Sequence, residues 1–463
     1  MATTTKQGYR VTNPATGEVV EEFPFSTDAE VQDALTKAQT AYEDWGSRTI
    51  EERAAVVQRA AELFEERKEE LARIAATEMG KPFHEGVEEA EFSSAIVGYY
   101  AEHGPAFVAD QEVPTLADGK AVIQRLPIGP LLGIMPWNFP YYQVARFAGP
   151  NLVLGNTVLL KHAESCPRSA LAIEQIFRDA GVPEGAYVNV FATHDQISTI
   201  IEDPRIQGVS LTGSERAGAI IGAQAGKALK KAVLELGGSD PYVILDSDDI
   251  KEAAATAWGT RIYNTGQACN SNKRMIVMED IFDDFVTELT ELAKAVKPAD
   301  PLEPGDNSYG PMSSRRAAED LDAQVQDAVA KGATLHAGGV LAEGESAYYS
   351  PAVLTGVTPD MRAFQEELFG PVAVVYKVTS DEEALELANN TPFGLGGAVF
   401  AKDEDRARQI ADKLQVGMAN VNTPAGEGAE LPFGGVKRSG FGRELGPLGM
   451  DEFVNKRLYF VAN

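Results

Sequence analysis

The chain has 463 residues, of which 44% are hydrophobic, and carries a net charge of −28 from 69 acidic and 41 basic residues. This length exceeds what one hydrophobic core usually serves, and the composition is typical of globular proteins, so we expect two or three folded domains. The acidic balance argues against nucleic acid and anionic membrane surfaces as partners.

The chain has only two cysteines, which excludes a disulfide framework, and no charged-then-apolar leader precedes the fold. We therefore predict a cytoplasmic protein. The longest uncharged stretch, residues 126–145, is interrupted by prolines and is a poor candidate for a membrane helix. The surplus of carboxylates has two open explanations: a generally soluble surface, or adaptation to high salt, which screens self-repulsion.

Two amphipathic helices are predicted near the start of the chain. Thr27 and Glu30 form a capping-box signature, and Thr49 and Glu52 form a second one. Apolar residues at helical spacing follow each box. The second helix is expected to continue until the Gly-Lys-Pro sequence at 80–82 ends it.

Apolar runs alternate with helical patterns from residue 157 onward. Strands are predicted at 157–161, 187–191, 207–211 and 231–236, and a helix at 169–185 that Gly181 and Pro183 close. After Gly238, further strands are predicted at 241–245, 274–278, 371–378, 396–401 and 417–422, with helices at 381–390 and 404–414. Such alternation indicates an α/β protein with two doubly wound, parallel sheets.

A dinucleotide-binding fingerprint is absent in its usual form. The nearest match, 440–445, has a leucine in place of the third glycine and follows no predicted strand. Gly213 and Ser214 do follow a strand, at the turn into a helix whose free N–H groups suit a pyrophosphate. Three further glycines recur along that helix and are attributed to packing against the sheet: Gly218, Gly222 and Gly226.

Lys161 and Glu164 follow the predicted strand 157–161. They would project at its carboxyl end, which is the edge where open α/β sheets bind ligands. A solvated charge pair at the start of a helix explains this segment equally well.

Cys269 lies in the polar, glycine-containing segment 264–274, a poor setting for a cysteine that only fills a core. If a helix begins after Gly266, its N-terminus would lower the pKa of the thiol. A reactive thiol is therefore the favoured interpretation.

A base for this thiol has two kinds of candidate. Five histidines occur, none near Cys269 in sequence and none with metal-ligand spacing, so no metal site is predicted: His84, His103, His162, His194 and His336. Glu235 ends an apolar strand, where partial burial would raise its pKa and suit it to act as a base. Trp137 and Asn138 are typical packing and turn residues, although the Asn138 amide could donate to an oxyanion.

Seven segments, in order over nearly the whole chain, resemble motifs of the aldehyde dehydrogenase superfamily. They are PWNFP (136–140), KHAES (161–165), LTGS (211–214), LELGGSDP (234–241), GQACNSNKR (266–274), EELFGPV (366–372) and PFGGVKRSGFGRE (432–444). The segments YAEHGPA (100–106), KHA and LELGGSDP are further similar to the bacterial succinate-semialdehyde dehydrogenase branch.

The resemblance implies an α/β fold with three parts. These are a Rossmann-type cofactor domain (1–108 and 128–236), a second α/β catalytic domain (237–438) and a β oligomerisation arm (109–127 and 439–463). Residues 112–127 fit a hairpin of that arm with an Asp-Gly turn. A projecting arm exposes a sheet edge, so a homodimer or homotetramer is expected.

The resemblance also implies a reaction. Cys269 would attack the carbon of a small aldehyde, and the Asn138 side-chain amide and the Cys269 N–H would hold the resulting oxyanion. After hydride transfer, Glu235 would activate the water that hydrolyses the thioester to a carboxylic acid.

The implied cofactor is NAD or NADP. Its contacts would be Lys161 and Glu164 at the adenosine ribose, Gly213 and Ser214 at the pyrophosphate, Glu367 at the nicotinamide ribose, the backbones of Trp137 and Leu236, and Phe369 beside the nicotinamide. Because a carboxylate at Glu164 accepts from ribose hydroxyls and repels a 2′-phosphate, we predict NAD over NADP.

The substrate is less closely defined. Arg146 resembles the position at which succinate-semialdehyde enzymes keep an arginine for the substrate carboxylate. Tyr263, however, stands where some members of that branch have a second arginine. Other semialdehydes and simple aliphatic or aromatic aldehydes stay open, as do a nicotinamide-independent cysteine hydrolase or acyltransferase, transfer to coenzyme A, and a non-catalytic protein.

Overall fold

The computed structural model describes residues 8–463 and builds them around two large, mainly parallel sheets. The predicted parallel α/β organisation is confirmed. Each predicted strand is present within two residues of its expected bounds. The largest difference is at 187–191, where the strand covers only Tyr187–Asn189. Alternation of apolar runs with helices therefore identified most of both sheets.

The first sheet has six strands. In spatial order they are Gly440–Phe441, Lys231–Glu235, Gly208–Thr212, Pro130–Met135, Thr157–His162 and Tyr187–Asn189. The central strand, Pro130–Met135, is not among the predicted ones, because its prolines and short length hid it within the uncharged stretch 126–145. All the strands except Gly440–Phe441 run parallel, so their carboxyl ends lie at the same edge of the sheet. Glu235 lies at that edge, opposite Thr212.

The second sheet has seven strands. In spatial order they are Thr334–Ala337, Ala352–Thr355, Val372–Val378, Arg274–Met278, Pro241–Ile244, Gly396–Phe400 and Met418–Val421. The first two strands of this order were not predicted. Residues 236–240 lead directly from the first sheet into the second, so Glu235 lies where the two sheets meet.

Helices cover both sheets. They are Asp28–Trp45, Ile50–Glu66, Lys68–Met79, Phe83–Phe107, Tyr142–Leu154, Pro167–Ala180, His194–Glu202, Glu215–Lys227, Ile250–Ile262, Glu279–Ala295, Arg315–Ala330, Arg362–Gln365, Asp381–Asn389, Glu404–Ala411 and Gly446–Met450, with 3₁₀ turns at Tyr263–Gly266 and Lys437–Ser439. Both predicted capping boxes are formed. No helix among residues 8–463 combines the length and the apolarity needed to cross a bilayer.

The single helix predicted from Thr49 to the Gly-Lys-Pro sequence is wrong. It divides at Arg67, whose φ of −107° and ψ of 11° interrupt the helical geometry. A straight helix of that length would extend about 45 Å. The break instead lets Ile50–Glu66 and Lys68–Met79 both pack on Phe83–Phe107.

Three smaller sheets complete the fold. They pair Tyr9–Thr12 with Val19–Phe23, Lys297–Pro298 with Ser308–Tyr309, and Gly119–Pro127 with both Gln111–Val113 and Val454–Ala462. The last of these contains the predicted hairpin, but Val113 pairs with Ala121, so a loop rather than a tight Asp-Gly turn joins its strands. Gly440–Phe441, which was expected in the arm, pairs instead with the strand that carries Glu235.

Candidate active site

Cys269 lines a cavity of about 530 Å³. It lies in the loop between Tyr263–Gly266 and the strand Arg274–Met278. No helix begins after Gly266, so the predicted helix terminus is absent and the predicted lowering of the thiol pKa is wrong. Burial instead raises the pKa of the Cys269 thiol to about 11, against the opposing charges of Arg146 and Lys273. The thiol is therefore protonated at neutral pH in this state.

The loop before Cys269 has an unusual backbone. Asn264 and Thr265 have φ values of 50° and 52°, a left-handed conformation that non-glycine residues rarely adopt. Gly266 follows with φ 73°, and a Cβ there would lie 2.4 Å from the Gly370 carbonyl oxygen. The Asn264 side chain donates to the Asn138 carbonyl over 2.8 Å, which joins this loop to the segment of Asn138.

Two N–H groups at the loop of Cys269 are candidates for an oxyanion hole, although Asn138 itself does not line the cavity. The Asn138 side-chain nitrogen donates one hydrogen to the Gln267 carbonyl oxygen over 3.1 Å and keeps a second hydrogen free. The hydrogen bonds of residues 8–463 include none donated by the Cys269 N–H. Paired donors of this kind stabilise negative charge that develops on a carbonyl oxygen.

Glu235 is 2% exposed, and neither of its carboxyl oxygens has a hydrogen-bond partner among the described residues. Burial raises the pKa of Glu235 well above its usual value, and the nearby charge of Glu444 raises it further. A carboxyl group without partners is free to take a proton, and its environment makes it a stronger base once ionised.

Arg146 lies behind the cavity wall. Its guanidinium is buried in an ion pair with Glu444, donates to Thr212 Oγ1 over 3.2 Å, and lies 4.8 and 4.6 Å from the ring centres of Tyr142 and Phe433. Tyr142 and Phe433 both line the cavity, whereas Arg146 does not. Its predicted contact with a substrate carboxylate would therefore need the ion pair to open.

The cavity walls are aromatic and acidic. Aromatic rings of Phe92, Phe139, Tyr142, Tyr263 and Phe433 line it, and no Lys or Arg of residues 8–463 does. Four acidic residues contribute to the lining: Glu88, Glu89, Asp240 and Glu427. No histidine of the described chain lies in this lining either, so the base that a cysteine hydrolase usually needs is missing beside Cys269.

The predicted adenosine and pyrophosphate contacts lie at the carboxyl ends of the first sheet. Lys161 is the penultimate residue of the strand Thr157–His162, its ammonium nitrogen lies 3.7 Å from Glu164, and burial lowers the pKa of Lys161. Ser214 caps the helix Glu215–Lys227 by accepting from the Ala217 N–H. A Cβ on Gly213 would find no atom nearer than 3.8 Å, so the helix start is open to a ligand.

The predicted nicotinamide contacts lie nearer Cys269. Glu367 accepts from the Gly238 N–H over 3.1 Å and pairs with the Lys273 ammonium at 3.0 Å. Phe369 packs edge-on against Trp137, with ring centres 5.7 Å apart. Leu236 donates its N–H to the Ser439 carbonyl oxygen over 3.0 Å. Carboxylates suited to ribose hydroxyls and a helix start suited to pyrophosphate together fit NAD or NADP.

Sequence reasoning missed two charged residues of this site. Lys273 donates to the carbonyl oxygens of Ala268 and Cys269 over 2.6 and 2.8 Å, and these two hydrogen bonds stabilise the loop that carries Cys269. Glu444 pairs with Arg146 from a distant part of the chain, and no spacing rule connects them. Both residues belong to the quoted motifs, which was the only available signal.

Comparisons with known proteins identify the family of this chain. A model of the aldehyde dehydrogenase family matches residues 1–458. The succinate-semialdehyde dehydrogenase (NADP+) of Deinococcus radiodurans is 53% identical over 97% of this chain and 94% of its own. The succinate semialdehyde dehydrogenase (NAD(P)+) Sad of Escherichia coli is 44% identical over 96% of each chain.

A crystal structure is similarly close. The succinic semialdehyde dehydrogenase from Streptococcus pyogenes, solved with NADP+, superposes with a TM-score of 0.95 at 39% identity, over 98% of this chain and all of its own. The overall fold of this chain therefore recurs in an experimentally determined structure.

Proposed function

Because the chain belongs to the aldehyde dehydrogenase family, we propose that it oxidises succinate semialdehyde to succinate through a thioester on Cys269. NAD(P)-dependent oxidation of an aldehyde is the activity of this family and of its relatives here. The observation that supports the proposed chemistry is a set of three groups: a thiol that lines the cavity, the Asn138 amide bonded to the loop of that thiol, and the buried carboxyl group of Glu235, which has no hydrogen-bond partner among the described residues.

In the proposed first step, Cys269 gives its proton to solvent water and its sulfur attacks the aldehyde carbon, while the carbonyl π electrons move to oxygen. The Asn138 amide and the Cys269 N–H donate to that oxygen. The positive charges of Arg146 and Lys273 favour the thiolate, against the burial that disfavours it. When bound, the cofactor would supply the nicotinamide ring as hydride acceptor. Loss of the hydride from the former aldehyde carbon would leave a thioester on Cys269.

In the proposed second step, Glu235 removes a proton from water, whose oxygen attacks the thioester carbon. The carbon–sulfur bond breaks, the thiolate of Cys269 is released and the carboxylic acid leaves. The partner-free oxygens of Glu235 support this role, because a carboxylate already engaged in hydrogen bonds would be a weaker base.

The residues that would hold the cofactor are those named above, with Glu367 at the nicotinamide ribose and Gly213 and Ser214 at the pyrophosphate. We propose a preference for NAD, supported by the carboxylate of Glu164 beside Lys161. A 2′-phosphate would compete with Glu164 for the Lys161 ammonium, and the negative charge of Glu164 would repel it. The relatives are named for NADP+ or for both cofactors, so relative rates are the test.

Succinate semialdehyde as substrate is supported by the names of the relatives, and Arg146 would contact its carboxylate once the ion pair with Glu444 opens. A second substrate class has its own support. Walls of aromatic rings without a lining cation, in the described residues, favour an uncharged aromatic aldehyde.

A substrate panel separates these classes. Succinate semialdehyde, propanal and benzaldehyde would each be assayed with NAD and NADP, at low and high salt, by absorbance of the reduced cofactor. We expect kcat/KM for succinate semialdehyde to exceed that for the two uncharged aldehydes by about tenfold or more, since one charge-assisted contact contributes about 1.5–3 kcal/mol. A higher value for benzaldehyde would favour the second class, and no turnover of any aldehyde would contradict the whole proposal.

We also propose a homodimer or homotetramer in the cytoplasm, with the domain bounds predicted above. The strand Val454–Ala462 pairs with Gly119–Pro127 on one side only within residues 8–463, and it exposes Leu458, Tyr459, Phe460 and Val461, which supports burial against another copy. Both cysteines are free, as a thiol mechanism in a reducing compartment requires. Light scattering of the purified protein tests the assembly.

A further inference from the structure

Two buried carboxylates reach the candidate site from the helix Phe83–Phe107, and the reaction proposed above uses neither. Glu85 and Glu89 are one helical turn apart and are 9% and 3% exposed. Glu89 accepts the N–H groups of Tyr141 and Tyr142 over 2.8 and 3.1 Å. It thereby caps the helix Tyr142–Leu154, which has no side-chain cap of its own.

Glu85 contacts the loop that leads to Cys269. One of its carboxyl oxygens accepts the Asn264 N–H over 2.7 Å. Asn264 and Thr265 are the two left-handed, non-glycine residues of the loop that leads to Cys269. Such a conformation is unfavourable for a residue with a side chain and persists only where the surroundings hold it.

The loop in turn holds Asn138 at two points. The Asn264 side chain donates to the Asn138 carbonyl over 2.8 Å. The Asn138 side chain donates to the Gln267 carbonyl over 3.1 Å. If the peptide between Asn264 and Thr265 rotated toward a right-handed conformation, both supports would move, and the Asn138 amide would turn away from the thiol.

We propose that Glu85 is a positioning residue: through the Asn264 N–H it holds the left-handed turn, and through that turn it directs the Asn138 amide at the oxyanion. This inference rests on the proposed function, because it takes Asn138 as the oxyanion donor in a reaction of Cys269. Glu85 itself does not line the cavity and contacts no reacting atom.

Glu78 provides a matched control. It is 1% exposed and accepts the N–H groups of Arg168 and Ser169 over 2.6 and 3.0 Å, at the start of the helix Pro167–Ala180. Burial raises the pKa of both Glu78 and Glu85 to about 7. Both carboxyl groups are buried and accept backbone N–H groups, and Glu78 also accepts the Ser169 hydroxyl, but Glu78 holds a helix that does not carry Asn138 or Cys269.

The test uses the full chain, with enzyme in excess over an aldehyde that the wild type oxidises and with saturating cofactor. The single-turnover rate constant for reduced-cofactor formation is measured for Glu85→Ala, Glu85→Gln and Glu78→Ala, together with the cofactor KM and Tm. For Glu85→Ala we expect a rate constant about 10- to 100-fold lower, with a cofactor KM within about twofold, because misplacement of about 1 Å costs about that much.

The two other variants separate positioning from general stability. Glu85→Gln keeps an oxygen that accepts the Asn264 N–H, so we expect a rate constant within about threefold of the wild type. Glu78→Ala should lower Tm without changing the rate constant. If Glu85→Ala does not fold, Glu85→Asp, whose carboxylate is one methylene too short, should still be about tenfold slow.

Three results would overturn the inference: a wild-type rate constant in Glu85→Ala or, failing that protein, in Glu85→Asp; a glutamine variant as slow as the alanine variant; or equal slowing by Glu78→Ala. A wild-type enzyme that oxidises no aldehyde contradicts the proposed function instead. The two failures are therefore distinguishable.

Discussion

The two sides of Cys269 differ in how their charges are paired. On the cofactor side, Glu367 is paired with Lys273 and Glu164 lies beside Lys161. On the side of the proposed reaction, both carboxyl oxygens of Glu235 lack hydrogen-bond partners among residues 8–463, and burial raises the pKa of Glu235 and of the Cys269 thiol. The groups proposed only to bind the cofactor are held by partners, whereas the groups proposed to exchange protons have none among the described residues.

This difference has a physical cost. A buried carboxyl group without hydrogen bonds destabilises the fold by about 1–3 kcal/mol, so it persists only where function or the surroundings maintain it. Perturbed groups of this kind cluster at catalytic sites. The contrast predicts that changes on the reaction side affect rate, and that changes on the cofactor side affect affinity and selectivity.

The largest effect is expected from Cys269→Ser on the reaction side. A hydroxyl is a far weaker nucleophile than a thiol, so kcat should fall by about 10⁴-fold or more, as measured by reduced-cofactor absorbance. Cys166→Ser is the matched control, since Cys166 is completely buried at the start of the helix Pro167–Ala180. It should keep kcat even if Tm falls. Substantial turnover by Cys269→Ser would remove the thioester from the mechanism.

The next effect is expected from Glu235→Gln. The first turnover should still produce reduced cofactor, while steady-state kcat falls about 10²- to 10⁴-fold because no base activates water. Stopped-flow absorbance separates the two phases. A variant that slowed both phases equally would place Glu235 outside the hydrolysis step.

The pH dependence sharpens the same point. Glu235 acts as a base only when deprotonated, and burial raises its pKa, so wild-type kcat should fall as pH decreases from a value well above the usual range of a glutamate. The first-turnover rate should keep rising at higher pH, because the Cys269 thiol has a pKa of about 11. In the Glu235→Gln variant, steady-state kcat should no longer fall at low pH, whereas the first-turnover rate should keep its pH dependence.

The smallest effect is expected from Glu164→Gln on the cofactor side. Loss of its charge should raise kcat/KM for NADP relative to NAD by about tenfold, which is about 1.4 kcal/mol, with little change in kcat for NAD. Glu184→Gln is the control, because it removes the same charge from an exposed pair with Lys37 in the same part of the fold. An unchanged NADP to NAD ratio would show that Glu164 does not discriminate between the cofactors.

Local patterns predicted much of the fold. The two capping boxes and most strands were identified because their signals lie within a few neighbouring residues. The division at Arg67 and the strand Pro130–Met135 were missed. In these places packing against distant segments outweighed the local pattern.

For the site, the polar setting of Cys269 and the strand end at Glu235 were visible in the sequence, and the motifs added Asn138 and Glu367. The sign of the thiol pKa shift was not predictable. It depended on burial and on whether a helix follows Gly266, and neither is a property of the segment itself.

The sequence by itself determined which residue types were available and in what order: a thiol, a carboxylate at a strand end, and motifs that identify the family. Only the tertiary structure decided their state. It paired Arg146 with Glu444, left Glu235 without a partner and held Asn138 through Asn264 and Glu85. The physical reason is that hydrogen bonding and desolvation depend on which groups meet in space, and these groups come from distant parts of the chain.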